Sequence, residues 1–568
     1  MSPVIPPVIR RLSLILPLLL LPALAAFFFW PRPRAAPPSG VQFVDVARQA
    51  GIRYVFTIRD SRPLTILGSI GNGCAFLDYD NSGDLSVLLV GERLALYKGD
   101  GRGHFTDVTH RMGLDKLRGR FLGCAVGDYD NDGYDDIYLS GYQTGLLLHN
   151  EKGKGFKDVT VSAGLKPQPW GTSCGFADLS GEGRLDLVVA NYVKFGPRST
   201  QLCRDEDVPA GCPPVYYNPE MPVFYRNLGG GRFRDESQAS GIGQAHGRGL
   251  AVAFADYDDS GRQSVLIAND DLPGDLFHNE GGGRFTNAGI RSGIALDANS
   301  RTHSGMGADW ADYDGDGRLD AIVTTLEAQP KSLYRNEGGG LFRDVSERVG
   351  LDARAAPYIT FGVKWLDYDN DGRPDLILAS GHIEDNVARI VLRTTADRPL
   401  NHYRLPTQVF HNDGAATPWG EAKFTEVSGR MGRDLQRPIV GRGLAVGDFD
   451  NDGRIDALVV DSEGPPLLLH NQGGHVGHWL GLSLVGTGRS NRDAIGARVT
   501  LTAGGRTQVK EVQTAGSYLS ASDKRLLFGL GAATHIDSLT VRWPDGRVQA
   551  MTGLQAGHYQ TLREPEMP

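Results

Sequence analysis

One short acidic cluster recurs seven times along the 568 residues and constrains the fold more than any bulk property does. In its fullest form it reads D-x-D-x-D-G-x-x-D, and the copies begin at Asp78, Asp128, Asp178, Asp256, Asp312, Asp367 and Asp448. The interval is about fifty residues, with two longer steps that insertions near 195–222 and 383–409 explain. Self-similarity at such a period marks a chain built by stacking copies of one supersecondary unit. Short apolar runs flank each cluster, such as Gly123 to Val126 before the second and Ile137 to Leu139 after it. They are too short and too closely bounded by glycine for helices, so they read as strands. A second pattern follows downstream, L-Y-x-N-x-G-x-G-x-F-x-D-V, as from Leu333 to Val345, and reads as strand, tight turn, strand. Each unit then supplies four strands, which is one blade of a β-propeller.

The two ends of the array fix how it closes. The F-x-D-V element occurs as Phe43 to Val46 before the first cluster, and the last copy stops after Leu469 to Gly473 without one. An N-terminal strand that completes the final sheet removes the open edges a solenoid would have to cap. The expectation is an all-β chain with a seven-bladed propeller over 41–474. Residues 475–563 read as a small β domain, with alternating strands at Val499–Thr502 and Leu539–Trp543 and hairpin turns at Gly504-Gly505 and Asp545-Gly546.

The clusters are read as calcium loops. In the copy at Asp128, positions 1, 3, 5 and 9 are Asp128, Asp130, Asp132 and Asp136, Gly133 permits the turn, and Tyr134 offers its carbonyl. The same roles fall to Asp312, Asp314, Asp316, Arg318 and Asp320; to Asp367, Asp369, Asp371, Arg373 and Asp375; and to Asp448, Asp450, Asp452, Arg454 and Asp456. A flexible all-oxygen cage selects a hard cation, calcium rather than magnesium. A helix–loop–helix hand is excluded, because position 12 is Leu139, Val323, Leu378 or Val459 instead of a bidentate Glu. Three copies are degenerate. Asp78 and Asp80 are followed by Ser82 and Ser86; Asp178 by Ser180, Glu182 and Asp186; Asp256 and Asp258 by Ser260 and Ser264. Four to seven calcium ions are expected, with a structural role.

The first thirty residues carry Arg10 and Arg11 before an apolar stretch from Leu12 to Trp30, then a Pro-rich linker over 31–40. This reads as a signal peptide or an uncleaved membrane anchor, and either exports the rest to a secreted, periplasmic or surface location. Cys203 and Cys212, with eight residues between them, suit a disulfide in such a compartment. The net charge of −8 and the absence of a basic stripe argue against nucleic acid as a partner.

Residues 41–474 resemble the FG-GAP or VCBS repeats of integrin α-subunit propellers. The segments Ser490–Val499, Glu511–Ser520, Phe528–Gly531 and Leu539–Gly546 resemble an ASPIC/UnbV domain. Propeller plus this domain is the arrangement of the cartilage acidic protein family and its bacterial relatives. The resemblance implies extracellular calcium binding and surface or matrix interaction, without a defined activity. The degenerate loops and the lack of an EGF-like cysteine cluster keep a direct matrix role from carrying over.

Other features read as structural. Gly171-Thr-Ser173-Cys-Gly175 fits the G-x-S-x-G pattern but sits on a strand instead of a strand-to-helix elbow. Cys74, Cys124 and Cys174 share a slot that also takes Val252, Ala308, Val363 and Leu444, which marks a packing position. His149, His278, His411 and His470 read as turn residues of a repeated His-Asn pair. His246, His303 and His382 depart from the repeat and are candidates for a ligand or catalytic site. The favoured function is a protein- or glycan-binding module using one propeller face and the two insertions. The alternatives are a hydrolase working in the central channel and an accessory subunit of an envelope complex. Convergence of the three histidines on a deep pocket is the feature that separates enzyme from binding module.

Overall fold

A computed structural model describes residues 40–566 apart from 197–198, 200–201, 206, 392–401, 416–420 and 475–476. The apolar leader or anchor lies outside the described residues. Among those described, no helix is long and apolar enough to cross a membrane.

Each acidic cluster forms the turn between the first and second strands of an antiparallel meander. Around Asp256 the strands Gly249–Ala255, Ser264–Asn269, Asp275–Gly281 and Arg284–Asn287 pair in chain order. The first two are buried at every position, which is why they read as unbroken apolar runs rather than alternating ones. The sheets around Asp78, Asp312 and Asp367 repeat this order. The sheet around Asp448 takes its fourth strand, Gln42–Asp45, from the other end of the chain, with Phe43 opposite Asn471. That is the closure the two ends of the array predicted.

The sheets around Asp128 and Asp178 differ from the expectation of separate units. The strand Asp136–Asn150 runs for 15 residues and pairs sideways with Gln168–Ala177 through Tyr142–Trp170 and Thr144–Gln168, giving one seven-stranded sheet. The chain turns the corner without leaving the strand because Gln143 takes a φ of 52° and Gly141 lies against the Arg120 carbonyl, where a Cβ would approach to 2.3 Å.

The first strands follow one another around a ring. Gly73–Leu77, Arg120–Gly127, Gln168–Ala177, Gly249–Ala255, Ala308–Ala311, Thr360–Leu366 and Gly441–Gly447 each touch the next, and the last touches the first. The fold is all-β and propeller-like. An asparagine from the third strand stitches neighbouring sheets. Asn150 donates to the carbonyls of Tyr79 and Asp135, both at 2.8 Å, and Asn227, Asn279, Asn336, Asn412 and Asn471 repeat the bridge. The first sheet has Gly99 in this slot, where a Cβ would meet the Leu85 carbonyl at 2.1 Å, so no side chain bridges from there to the last sheet.

Residues beyond 477 form two sheets. Leu526–Gly531, His478–Val485 and Tyr559–Arg563 make one, and Arg506–Glu511, Arg498–Ala503, Ser538–Arg542 and Val548–Met551 make the other. Gly504-Gly505 turns the Arg498–Glu511 hairpin, with φ of 56° and 78°. These sheets belong to the same compact unit as the ring, Ser39–Pro568. The segment 514–522 enters the ring and reaches every first strand. Ala521 N donates to Cys74 O (3.0 Å), Cys124 N to Leu519 O (3.1 Å), Gly516 N to Val252 O (3.2 Å) and Ser517 N to Ala308 O (2.6 Å). Leu519 N donates to Ser173 Oγ (2.9 Å), Val363 N to Ser517 Oγ (3.3 Å) and Val446 N to Ser522 Oγ (3.1 Å).

Candidate metal centres

The seven clusters share one backbone conformation. Position 6 is a glycine with positive φ in each, from 71° at Gly183 to 94° at Gly133. Position 4 is also left-handed, and only Asn, Asp or Gly occupies it: Asn81, Asn131, Gly181, Asp259, Gly315, Asn370 and Asn451. The sequence reading used position 6 and missed position 4, although its restricted composition was visible. Position 1 holds the turn through backbone amides. In the Asp128 loop, Asp132 N (3.0 Å) and Gly133 N (2.6 Å) donate to Asp128, and in the Asp367 loop Asp371 N (3.0 Å) and Gly372 N (2.8 Å) donate to Asp367. Position 9 is equally committed to the fold. Asp136 accepts from Asn150 N (2.7 Å) and Tyr129 N (3.3 Å), and Asp186, Asp320, Asp375 and Asp456 do the same in their sheets.

Carboxylate oxygens left without a hydrogen-bond partner fall at position 3 in three loops and at position 1 in one. Oδ1 of Asp369, Asp450, Asp80 and Asp312 is buried without a hydrogen-bond partner, a costly state for a carboxylate unless a cation satisfies it. Groups able to hold a metal ion, with donor atoms within 4.8 Å of one another, include Asp128/Asp130/Asp132 and Asp312/Asp314/Asp316. Three more contain a histidine: Asp130/Asp136/His149, Asp369/Asp375/His411 and Asp450/Asp452/His470. Burial, reinforced by neighbouring carboxylates, pushes Asp128 up to about 8, Asp312 and Asp448 to about 7 and Asp369 to about 6.

The histidines require a correction. His149, His278, His411 and His470 were expected in turns, but they lie on third strands with the imidazole against the loop. His149 Nδ1 is 3.3 Å from Asp136 and 3.4 Å from Asp130, and His470 Nε2 is 3.0 Å from Asp450. Strand alternation from the bridging Asn sets this direction, because the preceding residue points to the opposite side. The slot takes a permanent cation elsewhere: Lys98 on Asp80, Arg226 on Glu182 (2.5 Å), and Arg335 on Asp314 (2.6 Å) and Asp316 (3.0 Å). At position 7, Arg318 and Arg373 use their guanidinium groups as clamps. Each Nε donates to the carbonyl of the bridging Asn, at 2.8 and 2.7 Å, and each pairs with the position-5 carboxylate. Arg454 pairs with Asp452 in the same way, while Tyr134 N donates to Asp132 at 3.0 Å.

The C-terminal sheets lie over this loop face. Asp128 N donates to Asp493 (2.7 Å), Gly531 N to Asn370 O (2.8 Å) and Tyr559 OH to Asp448 (3.0 Å). At the Asp256 loop, Arg542 pairs with Asp256 and with Asp259 (2.8 Å), while Arg498 donates to Asp256 O (3.1 Å). Two guanidinium groups therefore stand at a loop that has serines at positions 5 and 9. Asp258 retains His278 at 3.4 Å.

The remaining candidates separate. Cys203 and Cys212 are disulfide-bonded within the hairpin Leu202–Asp205/Val208–Gly211. Cys74, Cys124 and Cys174 are buried free thiols on first strands, and burial pushes Cys74 and Cys174 up to about 12. Ser173 lies on a strand, donates to Leu250 O (2.6 Å) and accepts from Leu519 N. His246 pairs with Asp275, His303 bonds Tyr334 OH (2.9 Å), and His382 accepts from Glu384 N (3.0 Å). These contacts go to different residues, and residues 514–522 occupy the inside of the ring.

Ring, loops and C-terminal sheets fall on segments similar to a class of protein with FG-GAP-like repeats and an ASPIC and UnbV domain. The FG-GAP-like repeat model matches residues 78–139, 128–189 and 256–323, and the ASPIC and UnbV model matches 486–568. Within that class the chain is similar to cartilage acidic protein 1. It is 24% identical to the Homo sapiens protein over 521 residues, covering 86% of this chain and 70% of that one. The Mus musculus protein matches at 24% over 521 residues, with 86% and 72% covered. Among solved structures, an Agrocybe aegerita lectin described in recognition of non-reducing terminal N-acetylglucosamine aligns at 15% identity and a TM-score of 0.41, covering 70% of this chain and 94% of that one. YCF48 bound to D1 peptide aligns at 10% identity and a TM-score of 0.39, covering 74% and 98%.

Proposed function

We propose that the chain is an exported, calcium-binding, seven-bladed propeller that serves as a protein- or glycan-interaction module. Calcium sits in the loops at Asp128, Asp367 and Asp448, with Asp312 as a fourth site that Arg335 partly satisfies. Positions 1, 3 and 5 supply the oxygens there, and bound calcium locks the loop hairpins. The loops at Asp78, Asp178 and Asp256 carry Lys98, Arg226 and the Arg542–Arg498 pair in the place of an ion.

One observation carries the interaction reading: the two insertions meet on the face opposite the loops. Both leave the far ends of second strands, Asp186–Asn191 and Asp375–Ser380. Asn386 Nδ2 donates to Pro209 O (2.7 Å), and Ile390 packs against Val208 and Ala210 of the disulfide hairpin. That cap leaves Leu202, Val215 and Tyr216 between 41% and 69% exposed, while the C-terminal sheets cover the loop face. Exposed apolar side chains on a covalently braced cap make a surface suited to a partner.

The test is pull-down of residues 40–568 from envelope extract, using wild type and a Tyr216→Asp, Val215→Asp variant, with calorimetric titration of calcium on both. The expected result is calcium uptake by both proteins and partner capture by wild type alone. Absence of calcium heat removes the metal assignment, and equal capture by the variant removes the interaction face.

A further inference from the structure

The face opposite the loops also contains a cavity of about 440 Å³, roofed by the disulfide hairpin and lined by residues at the far ends of the inner strands. Its walls include Leu250, Met306 and Phe361, all nearly fully buried. One ionisable group is set deep among them. Asp270 is 4% exposed, its Oδ2 accepts from the Tyr192 hydroxyl, the neutral Ser304 side chain lies beside the carboxylate, and Oδ1 is buried with no partner in hydrogen-bond geometry. The fold holds this carboxylate in place, with Asp270 N donating to Arg248 O (3.0 Å). Arg248, whose charge reaches Asp270, turns its guanidinium to the Tyr217 carbonyl (3.3 Å).

The rim has the same sign as the floor. Among the described residues Asp205, Asp271 and Glu384 line the cavity, against a single basic residue, Arg204, which donates to Asp207 O (2.8 Å). A half-satisfied carboxylate beneath apolar walls and an acidic rim lacks one charged donor. A sugar would present several hydroxyls to walls that are largely apolar, and an anion would meet four carboxylates. An ammonium on an apolar stem satisfies both parts of the site.

We infer that this cavity binds a primary ammonium group on an apolar stem, the N–H donated to Asp270 Oδ1 and the stem lying against Leu250, Met306 and Phe361. The inference deepens the proposed interaction face and rests on it. Two sources present that chemistry, a lysine side chain of a protein partner and a free alkylamine.

The experiment is titration calorimetry on residues 40–568 in saturating calcium, with hexylamine, hexanol, and Nα-acetyl-lysine methylamide as probes. Wild type is compared with Asp270→Asn, which keeps an acceptor for Tyr192 and removes the charge. Hexylamine is expected to bind about tenfold more tightly than hexanol, and Asp270→Asn to lose about tenfold for the amine with hexanol unchanged. Tighter binding of the lysine derivative than of hexylamine points to a protein source, and the reverse order to a free amine. Equal binding of hexylamine and hexanol, no binding of any probe, or full amine affinity in Asp270→Asn overturns the inference. A protein that captures its partner through Tyr216 yet ignores amines retains the interaction face and loses this site. A protein that binds hexylamine through Asp270 but captures nothing retains the site and loses the proposed function.

Discussion

At the residue scale, the acidic loops perform two tasks that the sequence pattern does not separate. Positions 1 and 9 accept backbone amides and fold the loop, which explains why Asp78, Asp178 and Asp256 persist beside protein-borne cations. The unsatisfied oxygens lie at position 3 in Asp80, Asp369 and Asp450, and at position 1 in Asp312. The metal-free protein should therefore respond to pH with a definite sign. An unfolded aspartate titrates near 3.9, whereas burial holds Asp128 near 8 and Asp136, Asp312 and Asp448 near 7. Between these values the folded state binds more protons than the unfolded one, so stability falls as pH rises from about 4 to about 8. His149, raised to about 9 by its bond to Asp136, has the same sign and carries the fall in stability on toward pH 9 at one loop. Thermal melts in chelator should show the melting temperature dropping by several degrees across that window. Saturating calcium should remove or reverse the slope, because protons and metal compete for the same oxygens. A chelated protein whose stability climbs with pH would contradict this account.

At the element scale, the segment 514–522 lies outside the repeats and bonds to all seven first strands. Leu519 is fully buried, and its carbonyl lies where a Cβ on Gly73 would approach to 1.9 Å. Gly73 therefore has a packing reason, since any side chain there would push the segment out of the ring. Leu519→Ala should cost about 2–5 kcal/mol, as buried leucine truncations do, and should be read by denaturant titration of residues 40–568. A loss below about 0.5 kcal/mol, the range of surface substitutions, would mean the ring does not depend on the segment. The difference between what was legible and what was not is sharpest here. Sheet order, loop positions and the closing strand at Phe43 follow from periodicity, because each unit repeats the same local instructions. The threaded segment has no counterpart elsewhere in the chain, and its partners lie hundreds of residues away, so pattern reading placed 475–563 outside the ring. The histidines were missed for a related reason: their role depends on which side of a third strand faces the loop, and the His-Asn pair alone resembles turn chemistry. Asp270 follows no repeated motif, and only the meeting of several strand ends shows that one of its oxygens is left over.

At the scale of the whole molecule, the question is whether ring and C-terminal sheets unfold together. Two independent domains would each hold a separate core and melt in separate steps. Here one apolar cluster runs from Phe176 and Phe254 in the ring through Ala515 to Phe528 and Trp543 in the C-terminal sheets. Polar contacts follow the same route, from Asp493 to the Asp128 loop, from Arg542 to the Asp256 loop and from Tyr559 to the Asp448 loop. Removal of the C-terminal sheets would expose the ring's inner strands and leave Asp256 without its guanidinium partners. Opening the ring at the Phe43–Asn471 pairing would in turn free the last sheet that Tyr559 and Arg525 hold. Each half thus depends on the other, and differential scanning calorimetry of residues 40–568 should give a single endotherm. Calcium should move that endotherm upward as one peak, because the ions stabilise hairpins on which both halves rest. Truncation after residue 474 should leave no cooperative transition. Two endotherms in the intact protein, with calcium shifting only one of them, would show that the C-terminal sheets form an independent domain and that the threaded segment is not what holds the ring together.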